Sequence, residues 1–207
     1  MALQYAKRYE LKGNEEYLAQ GMNYAKLAEE LHPREVKTRW RIVEAMRIFD
    51  AGEELLRQQE ELVTIAPKWP LAYQKLGESL SLRLMQQLDE GNARQVSIYA
   101  TKLFEVGETA ERNYILSRKN YLTKPAPRIY FMAGQAALLL KDETEAQRFL
   151  ELALKEGVPA KEVIPWLILA YQNSDPEKQA KLTEQYLLKD IEMNTEYTRL
   201  EKLIGRI

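Results

Sequence analysis

Apolar and small residues recur along this chain at intervals of three and four with polar residues between them, the period of amphipathic α-helices. From Glu15 to Leu31, Tyr17, Gly21, Tyr24, Ala25, Ala28 and Leu31 form one stripe that predicts a buried helix face. A weaker helix, Leu3 to Leu11, precedes it across a break at Gly13-Asn14, and Pro33 stops it. Trp40, Val43, Met46 and Ile48 then fall on a third helix, Asp50-Ala-Gly52 makes a turn, and Leu55, Leu56, Leu62 and Ile65 fall on a fourth that Pro67 closes. Pro33 and Pro67 stand 34 residues apart, so the pattern predicts a repeating helical hairpin.

A third hairpin opens at Pro70, with Tyr73, Leu76, Gly77 and Leu80 on its first helix and a turn at Asp89-Glu-Gly-Asn92. Tyr130, Ala133, Gly134 and Ala137 repeat those spacings on a helix that begins at Pro127. Gly77 and Gly134 are 57 residues apart, 23 more than the 34-residue interval. The surplus is expected after the turn, as a long second helix from about Ala93 to Leu116 and a loop from Ser117 to Pro127. That helix would carry Val96, Tyr99, Ala100, Leu103, Phe104, Val106 and Ala110 inward. Two prolines flank Ala126 and hold the loop's exit extended.

The fourth hairpin crosses a polar Lys141-Asp-Glu-Thr144 turn and continues through Ala146, Leu150 and Ala153 to Pro159. Gly134 and Ala146 omit side chain where two helix backbones approach, while Tyr130 and Leu150 fill the wider parts of the contact. In the fifth, Trp166, Leu169 and Ala170 lie on the first helix, and Asn173-Ser-Asp-Pro176 is the turn, with Asp175 as N-cap and Pro176 at the first helical position. A second helix from Ala180 carries Tyr186, Leu187, Ile191, Leu200, Leu203 and Ile204, interrupted by Thr183, Asn194 and Thr198. It reads as a terminal cap with a polar outer face; the alternative is a helix that binds a partner.

The aromatic, small, Gly and small residues of Tyr130 to Ala137, followed by Ala146, Leu150, Ala153 and Pro159, resemble the tetratricopeptide repeat (TPR), a 34-residue helix-turn-helix unit. The resemblance is sharpest at 70–84 and 127–159 and covers about three quarters of the chain; at the second hairpin Val43 stands where the motif has its close-contact glycine. It implies an all-α, TPR-type solenoid of about five units, 2–35, 36–69, 70–126, 127–160 and 161–207, in a single domain. A narrower resemblance lies in Lys124-Pro-Ala-Pro-Arg-Ile-Tyr-Phe-Met-Ala-Gly-Gln-Ala-Ala137, the insertion before it, and Ile164-Pro-Trp-Leu-Ile-Leu-Ala-Tyr171. These are similar to the TPR region that follows the membrane spans of some bacterial O-antigen polymerase or ligase-like proteins. That resemblance implies a non-catalytic region of a longer membrane protein that joins lipid-linked sugars.

Composition narrows the function classes. Charged residues make up 29% of the 207, yet the net charge is -1, so no global field draws nucleic acid, and no nucleic-acid partner is expected. There is no cysteine, which removes disulfides, thiolate metal sites and cysteine nucleophiles while leaving the compartment open. No apolar run approaches bilayer length. The N-terminus lacks the apolar centre of a signal peptide and begins in mid-helical pattern, as expected of a fragment of a longer protein. The lone histidine, His32 in Glu29-Glu-Leu-His32, matches half of a di-iron arrangement whose second half would need another histidine, and it sits before Pro33 at a helix end, where a cation suits the dipole. With no Gly-rich phosphate loop and no Gly-x-Ser-x-Gly elbow, neither metal, cofactor nor catalytic residue is expected.

Two charge features suggest partners. Arg34, Lys37, Arg39, Arg41 and Arg47 surround Trp40. By the resemblance, first helices line the concave groove of a TPR array. Lys37, Trp40, Glu44 and Arg47 would then share that face with Gln74, Glu78, Arg128, Phe131 and Gln135, and the partner would be a protein or an extended peptide. The second feature is an acid-free interval holding Arg112, Arg118, Lys119, Lys124 and Arg128 with Tyr114, Tyr121 and Tyr130 interleaved. In a membrane-tethered parent, residues 112–128 would rest on an anionic surface, each basic residue contributing about 1 kcal/mol. The expected function is a non-catalytic interaction or scaffold module, with a self-standing cytoplasmic TPR adaptor or peptide-binding bacterial regulator as the alternative.

Overall fold

Gly13 ends the first helix, α1 (Ala2–Lys12), in the left-handed conformation at φ 62°. Asn14 starts the next at once: its Oδ1 accepts a 2.8 Å hydrogen bond from the Glu16 N–H at the head of α2 (Glu15–Leu31). The same logic of caps and left-handed residues divides the rest of the chain. The structure, a computed structural model, describes residues 1–117 and 126–207, and these fall into two units, 1–72 and 73–207. Among the described residues every regular element is helical.

In the first unit α1 and α2 form one pair, and α3 (Val36–Ile48) and α4 (Gly52–Ile65) form the next, joined through Asp50 and Gly52, both at φ 50°. α3 packs on both helices of the preceding pair. Ala6, Ala25, Ile42, Ala45 and Met46 meet at the centre. Gly21 makes room for the Phe49 ring, since a Cβ there would stand 2.2 Å from Cζ. The predicted α2 stripe is correct from Tyr17 to Ala28 and fails at Leu31, which is 64% exposed. Leu31 is the last residue of the helix, and the His32-Pro33 turn carries the chain away before anything covers it.

Charge closes this unit. Arg39, on α3 and only 3% exposed, reaches Glu29 on α2 at 2.9 Å and Glu61 on α4 at 2.7 Å, and donates to the Pro33 carbonyl at 2.9 Å. Arg57, on α4, adds contacts to Glu29, Glu54 and Glu61 at 2.9, 2.6 and 2.5 Å. The hydrogen bond from Arg57 leads, burial opposes it, and Arg39 and Gln58 add to it, so the Glu29 carboxyl is held down at about 2.

The second unit holds most of α5 (Pro70–Asp89), then α6 (Ala93–Ser117), α7 (Pro127–Leu139), α8 (Glu143–Lys155), α9 (Ala160–Tyr171) and α10 (Pro176–Leu182). A π-helical turn, Thr183–Leu187, and α11 (Ile191–Ile204) complete it. The second helix of each pair packs on the first helix of the next: α6 on α7, and α8 on α9. Small residues set those distances. A Cβ on Gly107 of α6 would lie 2.4 Å from the Ala133 Cβ of α7, and one on Gly134 would lie 2.7 Å from Leu150 Cγ and 3.1 Å from the Leu150 nitrogen. Gly77 likewise admits Ile129 and Met132, where a Cβ would stand 2.7 and 3.0 Å away. Residues 129–139 of α7 and 163–171 of α9 are buried throughout. The fold is all-α and of the TPR type, built from helix-turn-helix pairs in this packing order.

The predicted turns hold: Lys141 is left-handed at φ 64°, Asp142 accepts from the Glu145 N–H at 3.1 Å, and Asp175 accepts from the Lys178 N–H at 3.0 Å with Pro176 opening α10. Two expectations need correction. The surplus of the third hairpin does not all follow the turn, because α5 has 20 residues against 13 in α7, and the seven extra residues, 83–89, run up to and include Asp89 at the start of the turn. Nor does one broken stripe run from Ala180 to Ile204. The helix ends in the π-turn, Asp190 caps a separate α11, and Ile191, placed inside by the stripe, is 86% exposed. The restart at Asp190 shifts the phase, so Met193 is buried in its stead. The predicted loop between α6 and α7 lies mostly outside the described residues.

Gly134→Leu must displace both the Leu150 side chain and its backbone, and a cost of about 1–3 kcal/mol is expected, read as a lower midpoint of urea denaturation. An unmoved midpoint would mean that the α7/α8 crossing is misplaced. A second expectation concerns acid. Because the folded pKa of Glu29 lies below the ordinary value of about 4.3, its contribution is fully present above that value and is lost as pH falls toward 2. Glu29→Gln should therefore cost about 1–3 kcal/mol at neutral pH. The gap between variant and parent should close as unfolding is measured from pH 5 downward; a gap independent of pH over that range would remove Glu29 from the network.

Candidate functional site

The residues expected to line a groove fall into two sets, one in each unit. In the first unit Lys37, Trp40, Glu44 and Arg47 share one face of α3 at helical spacing. Lys37 is exposed and Trp40 half-buried, its ring 4.8 Å from that of Trp69. Glu44 and Arg47 pair loosely at 3.7 Å. Arg39, among the basic residues grouped with Trp40, turns the other way into the ion network. A cleft of about 690 Å³ opens beside that network, between Met22, Lys26, Met46 and Arg57.

In the second unit Gln74 donates to Glu78 at 2.8 Å, with Lys75 on the same carboxylate at 2.8 Å. Arg128, at the start of α7, makes a two-pronged contact to Glu162 of α9 at 2.8 and 3.0 Å, which links the first helices of neighbouring pairs. Phe131 and Gln135 follow on the same face of α7, 8% and 6% exposed. They line a cleft of about 350 Å³ with Met85 of α5 and Trp166 of α9.

The fourth wall of that cleft is α11. Asp190 begins this helix, its Oδ1 accepting from the Glu192 and Met193 N–H groups at 2.9 and 3.1 Å. Glu192, Met193 and Glu196 then face the cleft. Further along, Leu200 and Leu203 are buried where α11 packs on α9, and Arg199 reaches Asp89, the last residue of α5, at 2.7 Å. α11 thus packs on α9, shares the cleft with α7 and reaches α5 through the Arg199–Asp89 pair. Pro165 sits inside α9 and cannot donate to the Lys161 carbonyl, leaving that oxygen without its usual partner at the rim of the cleft.

Sequence reasoning missed Met85, Glu162, Trp166 and Met193 as parts of one site. Glu162 lies 34 residues after Arg128, so carrying that position forward by one repeat would have found it, whereas Phe131 carried forward by 34 falls on Pro165, one residue short of Trp166. Of the expected basic surface, Arg112 is an exposed residue of α6, while Arg118, Lys119 and Lys124 lie outside the described residues. Among the described residues no helix is long and apolar enough to cross a membrane.

No family model matches the chain, and no curated protein matches it. Among solved structures it is similar to the crystal structure of TTC0263, a thermophilic TPR protein in Thermus thermophilus, at 17% identity over 96% of each chain and a TM-score of 0.49. The TPR-type assignment stands on the helix order and crossings described above.

The Arg128 and Glu162 side chains are 51% and 30% exposed, so their pair is worth no more than about 1 kcal/mol. Arg128→Ala is accordingly expected to leave thermal unfolding nearly unchanged; a large loss would make Arg128 a structural staple and remove it from the binding face.

Proposed function

We propose that this chain is a non-catalytic interaction module that holds segments of other polypeptides against the faces of its first helices. One observation carries the reading: α11 lies along α9, lines a cleft with Met85, Phe131, Gln135 and Trp166 through Met193 and Glu196, and pairs Arg199 with Asp89 of α5. Those are the elements by which a groove recognises an amphipathic helix. The exposed α3 face, with Lys37, Trp40, Glu44 and Arg47, is the companion surface in the first unit. Among the described residues no group of three or more His, Asp or Glu is placed to hold a metal ion.

The finer proposal, that the chain is the TPR region of a glycan-joining membrane protein, rests on residues 124–137, the insertion before them and residues 164–171; the rival is a self-standing cytoplasmic adaptor or peptide-binding bacterial regulator. An immunoblot of fractionated source cells separates them. A membrane band far heavier than 24.1 kDa favours the first, and a soluble band near that mass removes it.

The module itself is tested by photo-crosslinking in source cells, with the photoreactive residue in place of Lys37 on the α3 face or, as control, in place of the exposed Lys155 on α8. Adducts with another polypeptide are expected from position 37 and not from 155. No adduct from either, or equal adducts from both, would overturn the reading.

A further inference from the structure

The first unit has a second concave feature, away from the α3 face. It lies between α2 and α4, the second helices of the two pairs, with Met46 of α3 also in its lining; Lys37, Trp40, Glu44 and Arg47 take no part in it. At about 690 Å³ it has the size of a small-molecule site. One side is apolar and adaptable. Met22 packs on the core around Ala25 and Met46, and both methionines are unbranched thioethers that fit a stem of varied shape. The other side is polar and fixed. Gln58, 1% exposed, donates to Glu29 and Glu54 at 2.8 Å and accepts from Arg39. Arg57 donates to the same two carboxylates, and its hydrogen bonds hold both below the ordinary carboxyl range, Glu29 at about 2. That wall keeps its charge and its geometry near neutral pH.

The charges of the cleft do not balance. Three carboxylates line it, Glu29, Glu30 and Glu54, against two cations, Lys26 and Arg57. Widening the count to the ion network adds Glu61 and Arg39, one of each sign, so an excess of one negative charge remains. Glu30 is the carboxylate left over: among the described residues it has no hydrogen-bond or ion-pair partner. Lys26 precedes it by one turn of α2, in the order that pairs poorly along a helix. Glu54 Oε2 accepts one hydrogen bond, from Arg57 Nε at 2.9 Å, which leaves it a second acceptor direction. We propose that the α2/α4 cleft binds a small aliphatic amine, its alkyl stem on Met22 and Met46 and its ammonium group held by Glu30 and Glu54. A single cation brings the cleft to neutrality, a neutral alcohol leaves the excess as it is, and an anion adds to it. The site shares no residue with the first-helix faces, so it goes beyond the interaction-module reading.

The test uses the full chain with isotope-labelled methionine methyl groups, read by NMR, and hexylamine as the probe. Titration is expected to move the Met22 and Met46 signals to saturation and to leave those of Met85 and Met132, in the second unit, in place. Hexanol, with the same stem and no charge, is expected to bind about tenfold more weakly, and hexanoate more weakly still. Glu30→Gln, at an exposed position with no partner in the fold to lose, is expected to weaken hexylamine about threefold. Lys26→Gln removes a like charge from the cleft and is expected to strengthen it. Both changes leave Arg39, Arg57 and their partners in place. The proposal is overturned if the Met22 and Met46 signals stay put at amine concentrations up to about 20 mM, if hexanol binds as well as hexylamine, or if Glu30→Gln changes nothing. Equal losses from Lys26→Gln and Glu30→Gln would also overturn it, since they would make the preferred ligand a zwitterion.

Discussion

The second unit depends on how closely α7 can be approached from both sides. α6 meets it with Gly107 set on Ala133, and α8 meets it with Leu150 set on Gly134, so each crossing lacks the β-carbon of one partner. Close approach is what lets side chains beside the crossings interlock. Phe149 is fully buried, in edge contact with Phe104 and stacked near Tyr130, and its burial is worth roughly 1.5–3 kcal/mol. Burial also pushes the Tyr130 hydroxyl up to about 12. Packing of this density transmits any added methyl group to its neighbours, so the pair geometry, and with it the face of α5, α7 and α9, follows from a few missing side chains.

The first unit solves the same problem with charge. Val43 occupies the position where α7 has Gly134, and it is buried against Leu62 and Ala72. What ties α2, α3 and α4 there is Arg39 with Glu29 and Glu61. Burying a guanidinium is costly, and the arrangement is tolerable because several acceptors surround it and Arg57 shares the load on Glu29. Directional and titratable, it makes this unit sensitive to acid in a way that glycine crossings are not.

Much of this was legible in the sequence, and the reasons are local. Gly13-Asn14, Asp142 and Asp175-Pro176 act through their own backbones, and a cap reads the same wherever the helix goes. Gly134 was legible because the motif repeats it. Leu31, Ile191 and Met193 were not, because periodicity says which face of a helix is apolar and not what covers it, and a break such as Asp190 resets the phase. Arg39 was hidden for the opposite reason. In a segment rich in arginine and lysine nothing but the fold distinguishes the one that turns inward.

The extra length of α5 and the position of α11 have a common explanation. Shifted by the 57 residues that relate Gly77 to Gly134, the end of α7 at Leu139 falls on Leu82, so residues 83–89 of α5 have no counterpart in α7. Met85, which lines the cleft with Met193, and Asp89, which pairs with Arg199, both lie in that extension. A first helix of ordinary length would leave the cleft open on one side and Arg199 without its carboxylate. The extension adds nothing to the Gly77 crossing, which lies near the other end of the helix. It brings a flexible methionine, Met85, to the cleft that Met193 also lines and an acid, Asp89, to Arg199. The insertion in the third hairpin therefore supplies part of the surface that α11 faces as well as interrupting the repeat.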